Sequence, residues 1–224
     1  GAAPDKPMTS FADRRVNMVD NQIRTADVTK YPIIDAFLSV PREAFVPVSQ
    51  REAAYADLNV PLGPGRVALQ PRTLAKMLDG LDILPSELVL DIGCGLGFSA
   101  AVIGRLAEAV IAVEEDAALA SDAERALAQV SADNVAVVTA ALAAGAPKHG
   151  PYDVITIEGG VEVLPAAIED QLKEGGRIGC LFMEGGLGTV RLGYKSNGRI
   201  SWRYAFNAAA PVLPGFAAVP AFEL

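Results

Sequence analysis

Apolar residues recur with two different periods along this chain, and the change falls near Pro85. Before it, the 3.6-residue spacing of a helix begins at Phe11 and continues through Val16, Met18, Val19 and Ile23. A second helical stretch covers residues 31–40 and stops at Pro41, whose ring disfavours helical backbone in the residue before it. A third starts at Pro71, where proline suits the first turn, and sets Leu74, Met77, Leu78 and Leu81 on one face. Between them, Pro47, Pro61, Gly63, Pro64 and Gly65 predict an irregular segment over residues 45–70 that crosses the surface.

After Pro85 short apolar runs alternate with helical periods. Strands are expected at 88–92, 110–114, 135–139, 152–158 and 177–182, with helices at 98–107, 117–130 and 164–172, the last closing at Gly175 and Gly176. Such alternation requires parallel strands joined by right-handed crossovers. Two further strands, at 189–194 and 200–205, flank the hairpin turn Lys195-Ser-Asn-Gly198. The expected fold is therefore α/β: a doubly wound, mostly parallel seven-stranded sheet with an N-terminal helical extension. The expected divisions are a disordered terminus (1–10), a helical and irregular segment on the substrate side (11–84), the core (85–210) and a proline-rich apolar tail (211–224).

The first strand of the core runs into Asp91-Ile-Gly93-Cys94-Gly95-Leu-Gly97-Phe98-Ser. A strand that breaks into a glycine-rich turn and then a helix lets backbone N–H groups approach a ligand closely. A dinucleotide fingerprint counted from Gly93 needs glycine at 98, where Phe98 stands. The acid-x-Gly-x-Gly-x-Gly form resembles the turn of S-adenosylmethionine-dependent methyltransferases. That resemblance implies a Rossmann-like class I methyltransferase core, with S-adenosyl-L-methionine as cofactor and S-adenosyl-L-homocysteine as product.

In such sheets ligands sit beyond the carboxyl ends of the strands. Asp91, Glu114, Glu158 and Glu184 all fall at or just past expected strand ends. Glu114, 21 positions after Gly93, is placed to accept the ribose hydroxyl protons of an adenosine. Cys94, Phe98 and Glu115 complete the stretch assigned to the cofactor, although Glu115 also suits a helix start. Glu158 is expected to line the cofactor or substrate pocket. No metal site is expected, because no further oxygen ligands accompany Glu158 and Glu184. His149, the sole histidine, precedes a strand at the edge away from the ligand rim. The chain thus offers no obvious general base, which suits methyl transfer to an ionised carboxylate, a reaction that removes no proton.

A second set of motifs precedes the sheet. Met18-Val-Asp-Asn-Gln-Ile-Arg24, Val40-Pro-Arg-Glu-Ala-Phe-Val-Pro47, Ala54-Tyr-Ala-Asp57 and Gly63-Pro-Gly65 through Gln70-Pro71 resemble the N-terminal portion of protein-L-isoaspartate O-methyltransferases. With the glycine turn, Glu114, Tyr152-Asp153 and Gln171 to Arg177, the resemblance spans roughly residues 11–182. It implies the carboxylate of an L-isoaspartyl residue as acceptor, on a protein or peptide, or a small carboxylic acid if the pocket is retuned. It also implies that Leu69, Gln70, Pro71 and Glu158 form the reaction pocket and that Ala141 and Leu142 flank the adenine.

Three stretches depart from the family pattern. Val67 and Leu69 replace two hydroxyl residues, Ala140-Ala141-Leu142 replaces Gly-Asp-Gly, and Glu158-Gly159-Gly160 puts a carboxylate in a mostly neutral pocket. These changes open a rival reading, a non-catalytic or weakly cofactor-binding interaction module whose tail docks on a partner or, in a homodimer, on a second copy. A third reading, a nucleic-acid methyltransferase, is disfavoured by the formal net charge of −8, since phosphate contact needs a basic face. The chain has 224 residues, of which 51% are hydrophobic, enough for one large core. No apolar run is long enough to span a membrane, residues 1–7 lack a signal-peptide core, and the two cysteines have no metal-type spacing. A cytoplasmic protein is expected.

Overall fold

The computed structural model describes residues 9–219. Helix α1 (Phe11–Met18) is capped by the Ser10 hydroxyl, which accepts from the Asp13 N–H at 3.1 Å. The helix starts at Phe11, as its period predicts, and residues 1–8 of the expected disordered terminus lie outside the described residues. The helix passes through a wider turn at Val19–Ile23 into a tight one at Arg24–Ala26. Met18, Val19 and Ile23 are buried, whereas Val16 is 47% exposed. Two residues from Met18, Val16 lies about 200° around the helix and so faces away from the core.

Helix α2 (Tyr31–Ser39) ends before Pro41, as its sequence predicts. The segment expected to be irregular contains a hairpin, β1 (Val60–Gly63) and β2 (Arg66–Ala68), which pairs only with itself. Its dense prolines and glycines mark the turn and hide the two short strands. Helix α3 (Pro71–Leu81) begins at the expected proline and buries Leu74, Met77, Leu78 and Leu81.

Next come β3 (Leu88–Ile92), α4 (Phe98–Gly104), β4 (Ala109–Glu114), α5 (Ala117–Gln129), β5 (Val135–Thr139) and β6 (Tyr152–Val161). They are followed by α6 (Ala166–Glu169), β7 (Leu172–Glu184), β8 (Leu187–Ser196) and β9 (Arg199–Asn207). The seven strands lie in the order β5-β4-β3-β6-β7-β8-β9, parallel as far as β7 and antiparallel beyond it. The turn between β8 and β9 places Asn197 and Gly198 at φ 54° and 73°, the left-handed pair a two-residue hairpin favours.

The helix expected at 164–172 shrinks to the four residues of α6. Leu172 already pairs with Tyr152, and Gly175 and Gly176 lie inside β7, where the register slips between Leu172 and Arg177. This glycine pair marks a bulge in a strand and does not cap a helix.

Strand alternation divides the core in two. Val89, Val110, Ala112, Val154 and Leu192 face the N-terminal helices, α3 and α4. Leu90, Ile92, Val113, Ile155, Ile157 and Ile178 face the other way, where Leu142, Ile168, Leu213 and Phe216 cover them. The tail is therefore part of the core. The Gly160 N–H donates to Pro211 O at 2.8 Å, and the Leu213 N–H donates to Gly160 O at 2.9 Å. Leu213 and Phe216 are thus buried in their own chain and not free to dock on a partner, whereas Val219 of the same tail is 71% exposed; residues 220–224 lie outside the described residues.

One buried cation ties the extension to the core. Arg42 is fully buried; its Nε donates to Ala54 O at 2.6 Å and its Nη2 to Leu69 O at 3.1 Å. Its guanidinium lies 4.6 Å from the centre of the Phe98 ring, at the start of α4. Burial lowers its pKa to about 10, so it remains charged at neutral pH.

Candidate active site at the carboxyl rim

The turn after β3 folds back over the end of β4. The Gly93 and Cys94 N–H groups both donate to Val113 O, at 2.8 and 3.1 Å. Gly95, at φ 59°, has Leu62 of the hairpin packed where a Cβ would stand, so only glycine fits both the backbone and the contact. Gly97 then opens α4.

Asp91 is buried and accepts from Ser99 Oγ at 2.6 Å and Thr156 Oγ1 at 2.8 Å. Glu158, from the far end of β6, hydrogen-bonds Asp91, while its Oε1 has no partner. Burial first, then the Asp91 charge and hydrogen bond, push the Glu158 carboxyl well above its ordinary value of 4.5. Burial raises the Asp91 carboxyl too, but its hydrogen bonds from Glu158, Ser99 and Thr156 oppose this, so the stronger upward push falls on Glu158. Cys94 beside them is also held as a neutral thiol, by burial and by the negative charge of Asp91 and Glu114.

This raised pKa has a consequence for stability. A group with a raised folded-state pKa contributes stability that is complete below its unfolded pKa and is lost as pH climbs through the folded value. Glu158→Gln, which donates to Asp91 at every pH, is expected to melt at the same temperature as the parent near pH 4. By pH 8 it should melt at least about 2 °C higher, the shift produced by roughly 1 kcal/mol in a chain of this size. Melting curves at the two pH values check this; a constant offset would mean that Glu158 does not carry the proton.

Glu114, at the end of β4, is completely buried and its four acceptor positions are filled. Arg66 of β2 donates from Nη1 to Oε2 at 2.9 Å and from Nη2 to Oε1 at 2.5 Å. The Gly95 N–H donates to Oε1 and the Asp116 N–H to Oε2, both at 2.9 Å. Burial lowers the Arg66 pKa, but the hydrogen bond and charge of Glu114 outweigh it, and the net shift is upward. Within this ion pair, Arg66 Nε is left without a partner.

The expected site residues are thus partly assembled. Asp91, Gly93, Cys94, Gly95, Gly97, Phe98, Glu114 and Glu158 gather around the turn, and Leu142 reaches the space above Gly93. Leu69 and Glu158 line the small cavity there, but Gln70 and Pro71 do not. Gln70 turns its amide to the Asp57 carboxylate, and Pro71 is committed to the first turn of α3. Ala141 is exposed, and Glu115 points outward to accept the Leu142 N–H at 3.1 Å. Glu184 is exposed at the end of β7 and takes no part. His149 lies in a turn before β6, away from the rim.

Three residues at the site escaped sequence reading: Leu62, Arg66 and Leu213. Leu62 covers Gly95, Arg66 fills the Glu114 carboxylate, and Leu213 of the tail lies against Gly93 and Gly159. The remaining cavity is about 20 Å³, whereas a small-molecule site occupies about 300–1,000 Å³. A buried carboxylate beside a glycine-turn N–H has the polar groups an adenosine ribose requires; the volume in this conformation does not admit one.

The profile of the family described as protein-L-isoaspartate(D-aspartate) O-methyltransferase (PCMT) matches residues 13–199. A protein-L-isoaspartate O-methyltransferase of Koribacter versatilis is 36% identical over 79% of this chain and 79% of its own length. Protein-L-isoaspartate O-methyltransferase 1 of Rhodopseudomonas palustris is 39% identical over 76% of this chain and 69% of its own. A solved structure described as protein-L-isoaspartate O-methyltransferase superposes with a TM-score of 0.78 at 26% identity, over 90% of this chain and 66% of that one. A beta-aspartate methyltransferase (PCMT) structure from Plasmodium falciparum, in complex with S-adenosyl-L-homocysteine, gives 0.76 at 19% identity over 88% and 96% of the two chains, a likeness of fold.

Proposed function

The chain belongs to the protein-L-isoaspartate (D-aspartate) O-methyltransferase family, and on that premise we propose that it transfers a methyl group from S-adenosyl-L-methionine to the free α-carboxylate of an L-isoaspartyl residue in a protein or peptide. The observation that carries this reading is the Glu114 carboxylate, buried at the end of β4 and hydrogen-bonded to the Gly95 N–H of the glycine turn. The donor supplies an electrophilic methyl on a sulfonium. An ionised carboxylate receives it without losing a proton, which agrees with a rim lacking histidine among the described residues. Glu158, protonated against Asp91, adds no negative charge to repel the acceptor.

The apolar Val67 and Leu69 beside this rim favour an acceptor presented within a chain over a small free acid, because they offer no hydroxyl to a second polar group. No helix among the described residues is long and apolar enough to cross a membrane. We place the protein in the cytoplasm, where the buried free thiols of Cys94 and Cys180 stay reduced.

The decisive assay uses donor labelled in its methyl group, with an isoaspartyl peptide and its aspartyl counterpart. Base-labile label is expected on the isoaspartyl peptide alone. Label on small carboxylic acids and on neither peptide would move the acceptor. No label on any acceptor, together with no donor binding, would favour the rival scaffold reading, which the small cavity and the saturated Glu114 recommend.

A further inference from the structure

The hairpin formed by β1 and β2 stands apart from the seven-stranded sheet: its strands pair only with each other. Its base is tied by Asn59, whose Oδ1 accepts from the Gln70 N–H at 2.8 Å and whose Nδ2 donates to Ala209 O at 2.9 Å. Between these ties the hairpin turns through Gly63 and Gly65 and carries two side chains inward. Leu62 lies on Gly95, and Arg66 grips Glu114 through two hydrogen bonds.

A carboxylate offers about four acceptor positions. In this chain Arg66 takes two and the Gly95 and Asp116 N–H groups take the others. No position remains for a hydroxyl donor, and the leftover cavity of about 20 Å³ would not hold a nucleoside. Arg66 is not a passive surface residue, since its side chain is 10% exposed and Glu114 is fully enclosed. The grip is also incomplete. Arg66 Nε is buried without a partner, a cost that disappears if the side chain swings out to water.

We propose that the β1–β2 hairpin is a built-in competitor for the donor seat, with Arg66 and the donor's ribose binding Glu114 in mutually exclusive fashion. The hairpin lifts about its Asn59–Gln70 base to admit the ligand. This rests on the assignment of Glu114 to the ribose, and it adds that the measured affinity of the intact chain is lowered by the fraction of time the hairpin is shut.

The test is calorimetric titration of S-adenosyl-L-homocysteine, to millimolar concentration, into the full chain and into its Arg66→Ala and Leu62→Ala variants, each first shown to be folded by its melting curve. Arg66→Ala is expected to bind about tenfold tighter than the parent or better, because two charge-assisted bonds no longer compete. Leu62→Ala uncovers Gly95 without changing charge; it should tighten binding in the same direction and decides the matter if Arg66→Ala does not fold. A parent that binds while the variant binds equally or more weakly overturns the competitor and leaves the ribose assignment standing. Absence of heat in all three chains overturns both.

Discussion

Glu114→Ala, introduced into a chain that already carries Arg66→Ala, is expected to weaken S-adenosyl-L-homocysteine binding by at least about tenfold, and by as much as about 150-fold. The range follows from losing charge-assisted hydrogen bonds of about 1.5–3 kcal/mol, with each 1.4 kcal/mol a factor of ten. The Arg66→Ala background matters. In the unmodified chain Glu114→Ala removes both the proposed ribose partner and the anchor of the hairpin that covers it, so the two effects oppose each other. The substitution would also leave the Arg66 guanidinium, 10% exposed, without its counter-charge. The difference between the two backgrounds therefore reports the competition directly. Equal affinity of Arg66→Ala and the double variant would show that Glu114 does not hold the ribose.

Arg42→Ala should produce the largest loss of stability, about 3–5 kcal/mol from two orphaned carbonyls and a cavity, or a melting temperature lower by about 10 °C or more. The substitution orphans two buried carbonyls, Ala54 O and Leu69 O, and removes the cation stacked on Phe98. It also leaves a cavity among Phe37, Phe45 and Phe98, whose ring centres lie 6.0 and 6.1 Å apart in the pairs Phe37–Phe98 and Phe45–Phe98. Arg42→Met separates these causes. It refills most of the volume and avoids burying a charge but still orphans the carbonyls, so its loss should be smaller than that of alanine. Thermal melting of the three chains decides this. If alanine and methionine cost the same, the hydrogen bonds dominate; if neither costs anything, Arg42 does not tie the extension to the core.

The position of Arg42 explains why the motif Val40 to Pro47 is informative in the sequence. It contributes no atom to the glycine turn, yet it holds Phe98 at the start of α4 and Leu69 at the end of the hairpin segment. Through those two contacts the N-terminal extension and the core share one packing unit. The division at residue 84 is thus a change of sequence period and marks no gap in the core.

The parallel core was legible because each strand is an apolar run bounded by turn residues, and the central strands β3 and β6 are buried on both faces, whereas the edge strand β5 is only partly covered. The glycine turn and Glu114 were legible because their spacing is fixed by the geometry of a strand, a turn and a helix. Alternation failed where two signals overlapped. Leu164 to Leu172 carries a helical period, but Gly175 and Gly176 read as a helix stop when they serve as a bulge in β7. The hairpin was hidden by its own proline and glycine content. Arg66 was invisible for a deeper reason: an arginine in a polar turn usually faces water, and only the fold brings it across 48 positions of sequence to a buried acid. The tail gave no period because Leu213 and Phe216 are buried by irregular backbone, tied to Gly160 by two hydrogen bonds.

A crystal structure of the intact chain grown with saturating S-adenosyl-L-homocysteine tests the central claim most directly. The ribose hydroxyls are expected on the Glu114 carboxylate, with Arg66 withdrawn and the hairpin lifted from Gly95. Ligand bound elsewhere, or bound at the glycine turn with the Arg66–Glu114 pair intact, would contradict it.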